Sequence, residues 1–73
     1  MEVTGTTITD TQIQMVKDYE TTLLTDPDPV VVEEAQGWID VCDKALAGNP
    51  KDRSKVAFRY NELLSEGLIP GTV

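Results

Sequence analysis

Two clusters of helix-stopping residues cut this 73-residue chain into three stretches, each about the length of one helix. In Thr25-Asp26-Pro27-Asp28-Pro29 neither proline can donate a backbone hydrogen bond, and each disfavours helix in the residue before it, so the segment must turn. Gly48-Asn49-Pro50 stops the chain a second time, with a glycine suited to the left-handed conformation after a helix and an Asn-Pro pair suited to open the next. Between these stops no alternating pattern suggests a strand.

The helix ends carry their own signals. Thr9 followed by Gln12 forms a capping box, and Ile8 and Ile13 occupy the positions of a hydrophobic staple. Beyond them Ile13, Val16, Tyr19, Leu23 and Leu24 recur at helical spacing, which predicts a helix over about 10–24. Asp28 as N-cap and Pro29 as first helical residue predict a second over 29–47, ended by Gly48. Asn49, Pro50 and Asp52 open a third over 50–66, and Gly67 closes it, with Leu68 placed to touch Leu63. The expected architecture is all-α: a single domain, a small three-helix bundle, with short irregular tails at 1–7 and 68–73.

Such a bundle has few staples. A domain of roughly 60 residues buries only about 60% of the surface its unfolded chain exposes. The chain has one cysteine, Cys42, and no histidine, so an intramolecular disulfide is excluded and the commonest metal ligand is missing. Helix packing or self-association must hold the fold. No apolar run approaches the ~20 residues that span a bilayer, and the start lacks the basic and apolar regions of a secretory signal. With a free thiol, this leads us to expect a cytoplasmic protein with no membrane partner.

Catalysis is not expected. Without histidine, Ser-His-Asp and Cys-His chemistry are excluded, and paired carboxylates such as Glu33 with Glu34, or Asp40 with Asp43, would need a desolvated pocket that a thin bundle has little room for. Asp40 is expected to pair with Lys44 four residues on. Asp26-x-Asp28 lacks the later glycine and glutamate of a calcium loop and is better explained by capping, so no metal or cofactor is expected. Cys42 falls on the apolar arc and reads as a small buried hydrophobe.

The charge is segregated. Residues 1–43 hold ten acidic groups against Lys17, a net −9; residues 44–61 carry +4 through Lys44, Lys51, Arg53, Lys55 and Arg59 against Asp52; Glu62 and Glu66 complete the total of −7. A net −7 argues against direct nucleic-acid binding, since phosphate repels it. On the third helix Lys51, Lys55 and Arg59 follow at intervals of four beside an outward Phe58. On the second, Val30 and Val41 lie outside the core arc of Val31, Val32, Ala35, Ile39, Cys42 and Leu46, with Trp38 at its margin. These seven residues (Lys51, Lys55, Phe58, Arg59, Val30, Trp38, Val41) are the candidate surface for a protein partner or for another copy of the chain, since aromatic and arginine side chains are enriched in binding hot spots. A rival surface is acidic: Asp10, Asp18, Glu33, Glu34 and Asp40 would mimic nucleic acid and block a nucleic-acid-binding protein. A third reading is an oligomeric sponge whose basic side chains converge on an anion or nucleotide. Two charges fall within apolar arcs, Glu20 and Arg53; Arg53 is expected to pair with Asp43 across the second turn, and Glu20 to reach Tyr60 or an interface.

Two stretches resemble a known group. Ile8-Thr9-Asp10-Thr11-Gln12-Ile13 is similar to the Ile-Thr-Asp-x-Gln-Ile opening of short uncharacterised helical proteins of tailed bacteriophages, prophages and related mobile elements. Cys42-Asp43-Lys44-Ala45-Leu46-Ala47-Gly48 resembles their central Cys-Asp-Arg-Ala-Leu-x-Gly segment, and Arg53, Val56-Ala57 and Tyr60-Asn61 stand where they place Arg, Cys-Ala and Ile-Asn. The matching positions cover about half the chain. Lys44 replaces the usual Arg, Val56 replaces a second Cys, and the Asp-Pro-Asp-Pro turn with its longer second helix replaces a shorter connection. The resemblance implies a phage accessory protein binding a host or virion protein; it transfers no functional residues.

Overall fold

A computed structural model describes residues 2–70. Three helices follow one another: α1 (Asp10–Thr22), extended by a 3-10 turn at Leu23–Thr25, then α2 (Pro29–Leu46) and α3 (Pro50–Ser65). All three touch one another, and no strand is present among the described residues, so the fold is a small three-helix bundle.

Each end is built from the residues that announce it. Thr9 Oγ1 accepts from the Gln12 amide at 3.1 Å, while Gln12 Oε1 accepts from the Thr9 amide at 2.9 Å. Asp28 Oδ1 accepts from the Val30 amide at 2.9 Å, and Asn49 Oδ1 from those of Lys51 and Asp52. After α2 and α3 the chain turns through Gly48 (φ 101°) and Gly67 (φ 71°), conformations that L side chains avoid. The closing bonds, Asn49 N–H to Lys44 C=O and Leu68 N–H to Leu63 C=O, are those of Schellman caps.

The core is a continuous cluster from all three helices: Ile13 and Val16 from α1, Cys42 and Ala45 from α2, Val56, Ala57, Tyr60 and Leu63 from α3. Val31, Val32 and Leu46, expected on the core arc, are only partly covered. Ile8, the expected staple residue, and Ile69, from the expected irregular tail at 68–73, join the core from outside the helices. Residues 2–8 form a strap across α3. Asn61 clips it at Val3 like a strand neighbour, its Oδ1 accepting from the Val3 amide at 3.0 Å and its Nδ2 donating to the Val3 carbonyl at 2.7 Å. At Gly5 the strap lies so close to α3 that a methyl group would run into Ser54 Oγ. Burial of Ile8, only 3% exposed, fixes its end. At the other terminus Ile69 is buried, and the rest of the expected tail, 71–73, lies outside the described residues.

Arg53 is not the partner of Asp43. Its guanidinium donates to Asp10 Oδ1 at 3.0 Å, to the Ala45 carbonyl at 3.1 Å and to the Ile8 carbonyl at 2.8 Å, gathering the strap, the start of α1 and the end of α2 at one point. A planar fork of five donors suits that task, which a lysine could not perform in the same way. Asp43 instead meets Lys17 Nζ at 2.7 Å. This partner raises the Lys17 pKa, chiefly through the hydrogen bond.

Glu20 is 1% exposed, and Arg59 Nε donates to its Oε2 at 2.8 Å. Arg59 Nη1 also donates to Glu62 Oε1 at 2.7 Å. Burial alone would lower the Arg59 pKa; the hydrogen bonds to Glu20 and Glu62 outweigh it and leave the pKa raised. Asp10 with Arg53 near one end, and Glu20 with Arg59 further along, pair α1 with α3 in the same sequence order, as parallel helices require.

Removing one member of a buried ion pair strands the other, at a cost of about 3–5 kcal/mol. Arg59→Met should therefore lower the unfolding free energy by ~3 kcal/mol in urea titration. Glu20→Leu combined with Arg59→Met should recover most of the loss, because no carboxylate is then left buried.

Candidate functional site

The sequence points to two surfaces, a basic stripe on α3 and a surplus apolar strip on α2. The structure joins them. Because α2 and α3 are antiparallel across the three-residue connection Ala47-Gly48-Asn49, residues about equally far from it sit near one level. Trp38, nine residues before Ala47, lies beside Arg59, nine after Pro50: the guanidinium carbon is 5.6 Å from the centre of the indole ring, a cation–π contact. That contact joins the two helices. Just beside it, Trp38, Gly37, Val41 and Glu34 from α2 and Lys55 from α3 line an open groove of about 460 Å³.

Three predicted residues, Trp38, Val41 and Lys55, thus share one groove. Val41 is less free than expected, since part of it packs against the core. Val30 is 62% exposed one turn before Glu34, and Phe58 is 70% exposed one turn after Lys55. Lys51 is exposed on the same strip of α3. Arg59 is the correction: it lies at the margin of the stripe, but Glu20, Glu62 and the Trp38 ring have drawn it inward, and its side chain is only 20% exposed.

With Arg59 engaged, the cations divide into two sets. Lys17, Arg53 and Arg59 form ion pairs within the molecule, and no ion pair among the described residues involves Lys44, Lys51 or Lys55. The expected Asp40–Lys44 pair is therefore not formed. All three unpaired lysines lie near the turn between α2 and α3, at the last turn of one helix and the first turns of the other. Glu34 is exposed near the far end of the same face, Glu33 is exposed on the side of α2 that Asp40 shares, and Glu66 is exposed just past the end of α3.

The acidic surface is less coherent. Asp10 is held by Arg53 and Asp18 accepts from Gln14 Nε2 at 2.9 Å, both on α1, whereas Glu33, Glu34 and Asp40 are exposed on α2. These five residues do not form one unpaired patch. Cys42 is fully buried, and burial, with the nearby Glu20 and Asp43 charges adding to it, pushes its thiol up to about 12. Such a thiol is protonated near neutral pH and a poor nucleophile. Among the described residues no group of three or more His, Cys, Asp or Glu side chains is placed to hold a metal ion, and no helix is long and apolar enough to cross a membrane.

Gly37, which lines the groove, and Lys44 were not among the candidate site residues, and Glu34 stood only on the rival acidic surface; Lys44 and Glu34 lie at opposite ends of the groove's strip. Their spacing was the available signal: Val30, Glu34, Gly37, Val41 and Lys44 recur at alternating steps of four and three, the period of a helix–helix seam. No protein-family model, curated protein or solved structure matches the chain.

Gly37 is exposed in mid-helix, and an added methyl group would meet nothing within 4 Å. The monomer gives no packing reason for a residue that costs a helix about 1 kcal/mol relative to alanine. Gly37→Ala should raise the unfolding free energy by roughly that amount in denaturant titration. Cys42 should resist thiol reagents in the native protein at neutral pH and react once unfolded. Its ionisation should also contribute an alkaline loss of stability: as pH climbs from the ordinary thiol value of 9.0 toward 12, the unfolded chain ionises and the folded one does not. Thermal melts across that range check the direction.

Proposed function

We propose that this protein is a non-catalytic interaction module that docks another protein surface through the α2–α3 face, centred on Trp38, Val41, Lys55 and Phe58 and extended by Lys51 and Val30. The observation that carries this reading is the coincidence, on one face, of the 70% exposed Phe58, a groove floored by a glycine, and the lysines left without an internal partner. Exposed aromatic side chains bordered by unpaired cations supply both the apolar anchor and the polar rim from which protein interfaces are made. Arg59 belongs to this face as a support: by engaging the Trp38 ring it fixes one wall of the groove. The resemblance to phage proteins supports a phage accessory protein working in the host cytoplasm.

The test introduces a photo-crosslinking amino acid at Phe58, and separately at Glu33 on the acidic side of α2, in the full chain expressed in its cell. Covalent adducts at position 58 and none at position 33 are expected. Adducts at position 33 alone would transfer the function to the acidic surface and favour a nucleic-acid mimic. Absence of adducts at both positions would overturn the interaction reading.

A further inference from the structure

We propose that the occupant of the α2–α3 face is a second copy of this chain, related by a two-fold axis that crosses both helices at the level of Ile39 and Phe58. The proposal rests on the reading of this face as an interface and names what covers it.

The order of charges along the two strips points to this occupant. On α2, Glu34, Gly37, Val41 and Lys44 follow in line; on α3, Lys51, Lys55, Phe58 and Glu62 do so, with Glu66 one turn further. Since the helices are antiparallel, the face is positive near the Gly48-Asn49 turn and negative at the opposite end. A bipolar face complements itself when one copy is turned end over end, which sets each basic end on the partner's acidic end; a two-fold axis parallel to the helices would instead stack like on like.

The register then follows from the sequence. Glu34 and Lys44 are each five residues from Ile39, and Gly37 and Val41 each two. An antiparallel crossing centred there sets Glu34 opposite Lys44 of the second copy, and Gly37 opposite its Val41. On α3 the pairs Lys55 with Glu62 and Lys51 with Glu66 are both centred between residues 58 and 59, which leaves Phe58 beside its own copy; Glu62 already accepts from Arg59 through Oε1, but its side chain is 41% exposed and the carboxylate can accept from a second cation. The two centres were obtained independently, one from each helix, and they coincide in height. Ile39 is eight residues before Ala47 and Phe58 eight after Pro50, and the neighbouring pair so numbered, Trp38 and Arg59, is in side-chain contact. Gly37 gains a purpose in this arrangement, because a missing side chain lets the Val41 of the second copy approach the helix backbone.

A dimer needs about 800 Å² from each partner, roughly a sixth of the 4695 Å² surface of the monomer. α2 alone, 18 residues long, presents an edge about 27 Å in length, so two helices side by side offer a face of the right scale.

The test is sedimentation equilibrium of the full chain from about 10 µM to 1 mM, a range suited to a standard-size interface of moderate affinity. Dimerisation is expected. Glu34→Lys and Lys44→Glu, each alone, should weaken it by about tenfold, since each places like charges together twice in a symmetric interface. The double variant Glu34→Lys/Lys44→Glu should return to within about threefold of the wild type, because the swapped signs again face each other. In an oxidising buffer Phe58→Cys should form a disulfide-linked dimer, whereas Gln36→Cys, on another side of α2, should not; the buried Cys42 does not compete. Gly37→Leu should fold, having open space in the monomer, and should lose the dimer. A strict monomer at the highest concentration, a double variant no better than the singles, or a Phe58→Cys chain that does not link to itself would overturn the proposal. A position-58 photo-adduct with a mass other than two chains would also overturn it while leaving the interaction reading intact; absence of any adduct would remove both.

Discussion

A carboxylate in the middle of the bundle sets much of what the surface can be. Glu20 sits among the buried side chains of a core that has few large members, and an ionised group in that position is tolerated only with a partner at hydrogen-bonding distance. Arg59 is that partner, and meeting Glu20 takes it off the exposed stripe. Three consequences follow from the one pair. The guanidinium lies against Trp38 and joins α2 to α3; Glu62 accepts from another of its N–H groups; and the positive charge left without an internal partner contracts to Lys44, Lys51 and Lys55 at one end of the molecule. The bipolar character of the α2–α3 face is therefore a by-product of how the interior is neutralised.

The second constraint is size. With no disulfide among its described residues, this short bundle draws on segments outside its helices to close its core. Ile8 and Ile69 enter from the flanking segments, and Asn61 supplies side-chain bonds to Val3 of the kind a neighbouring strand would give. Arg53 does the corresponding work at the junction of the strap with α1 and α2, donating to the carbonyl oxygens of Ile8 and Ala45. Each device uses a polar side chain to hold backbone, and together they cover what three short helices leave open.

The helices were legible because their signals are local. Capping by Thr9, Asp28 and Asn49, the prolines at 29 and 50 and the glycines at 48 and 67 act on residues within a turn of themselves, so a reading along the chain finds them. The strap was not legible, since Val3 and Asn61 are joined across 58 positions and neither carries a mark of the other. Charge pairing failed for the same reason. Proximity in sequence suggested Asp43 for Arg53 and Lys44 for Asp40, but long cationic side chains reach across helices, and the pairs formed are Lys17 with Asp43, Asp10 with Arg53 and Glu20 with Arg59. Of the candidate site, Phe58, Lys51 and Lys55 stand exposed as the helical period implies. Arg59 does not, because the period alone cannot distinguish a side chain lying at the edge of an arc from one that has a buried acid to meet.

A net charge of −7 opposes self-contact to the extent that two copies bring −14 together. The opposition depends on where the charges lie. At physiological ionic strength the screening length is about 8 Å, so acidic groups on the outer side of α1, beyond the core from the proposed face, act weakly across it. Charges that face each other at a few ångströms are screened far less, and on the α2–α3 face these divide into three lysines at one end against Glu34, Glu62 and Glu66 toward the other. The face is thus locally near neutrality while the molecule as a whole is strongly acidic. Long-range repulsion slows encounter without deciding the contact itself, and it penalises every apposition except the one in which the lysines of each copy meet the acids of the other. Net acidity then acts as a selector of orientation, so the property that argues most simply against association is also what would make a single arrangement of it stand apart.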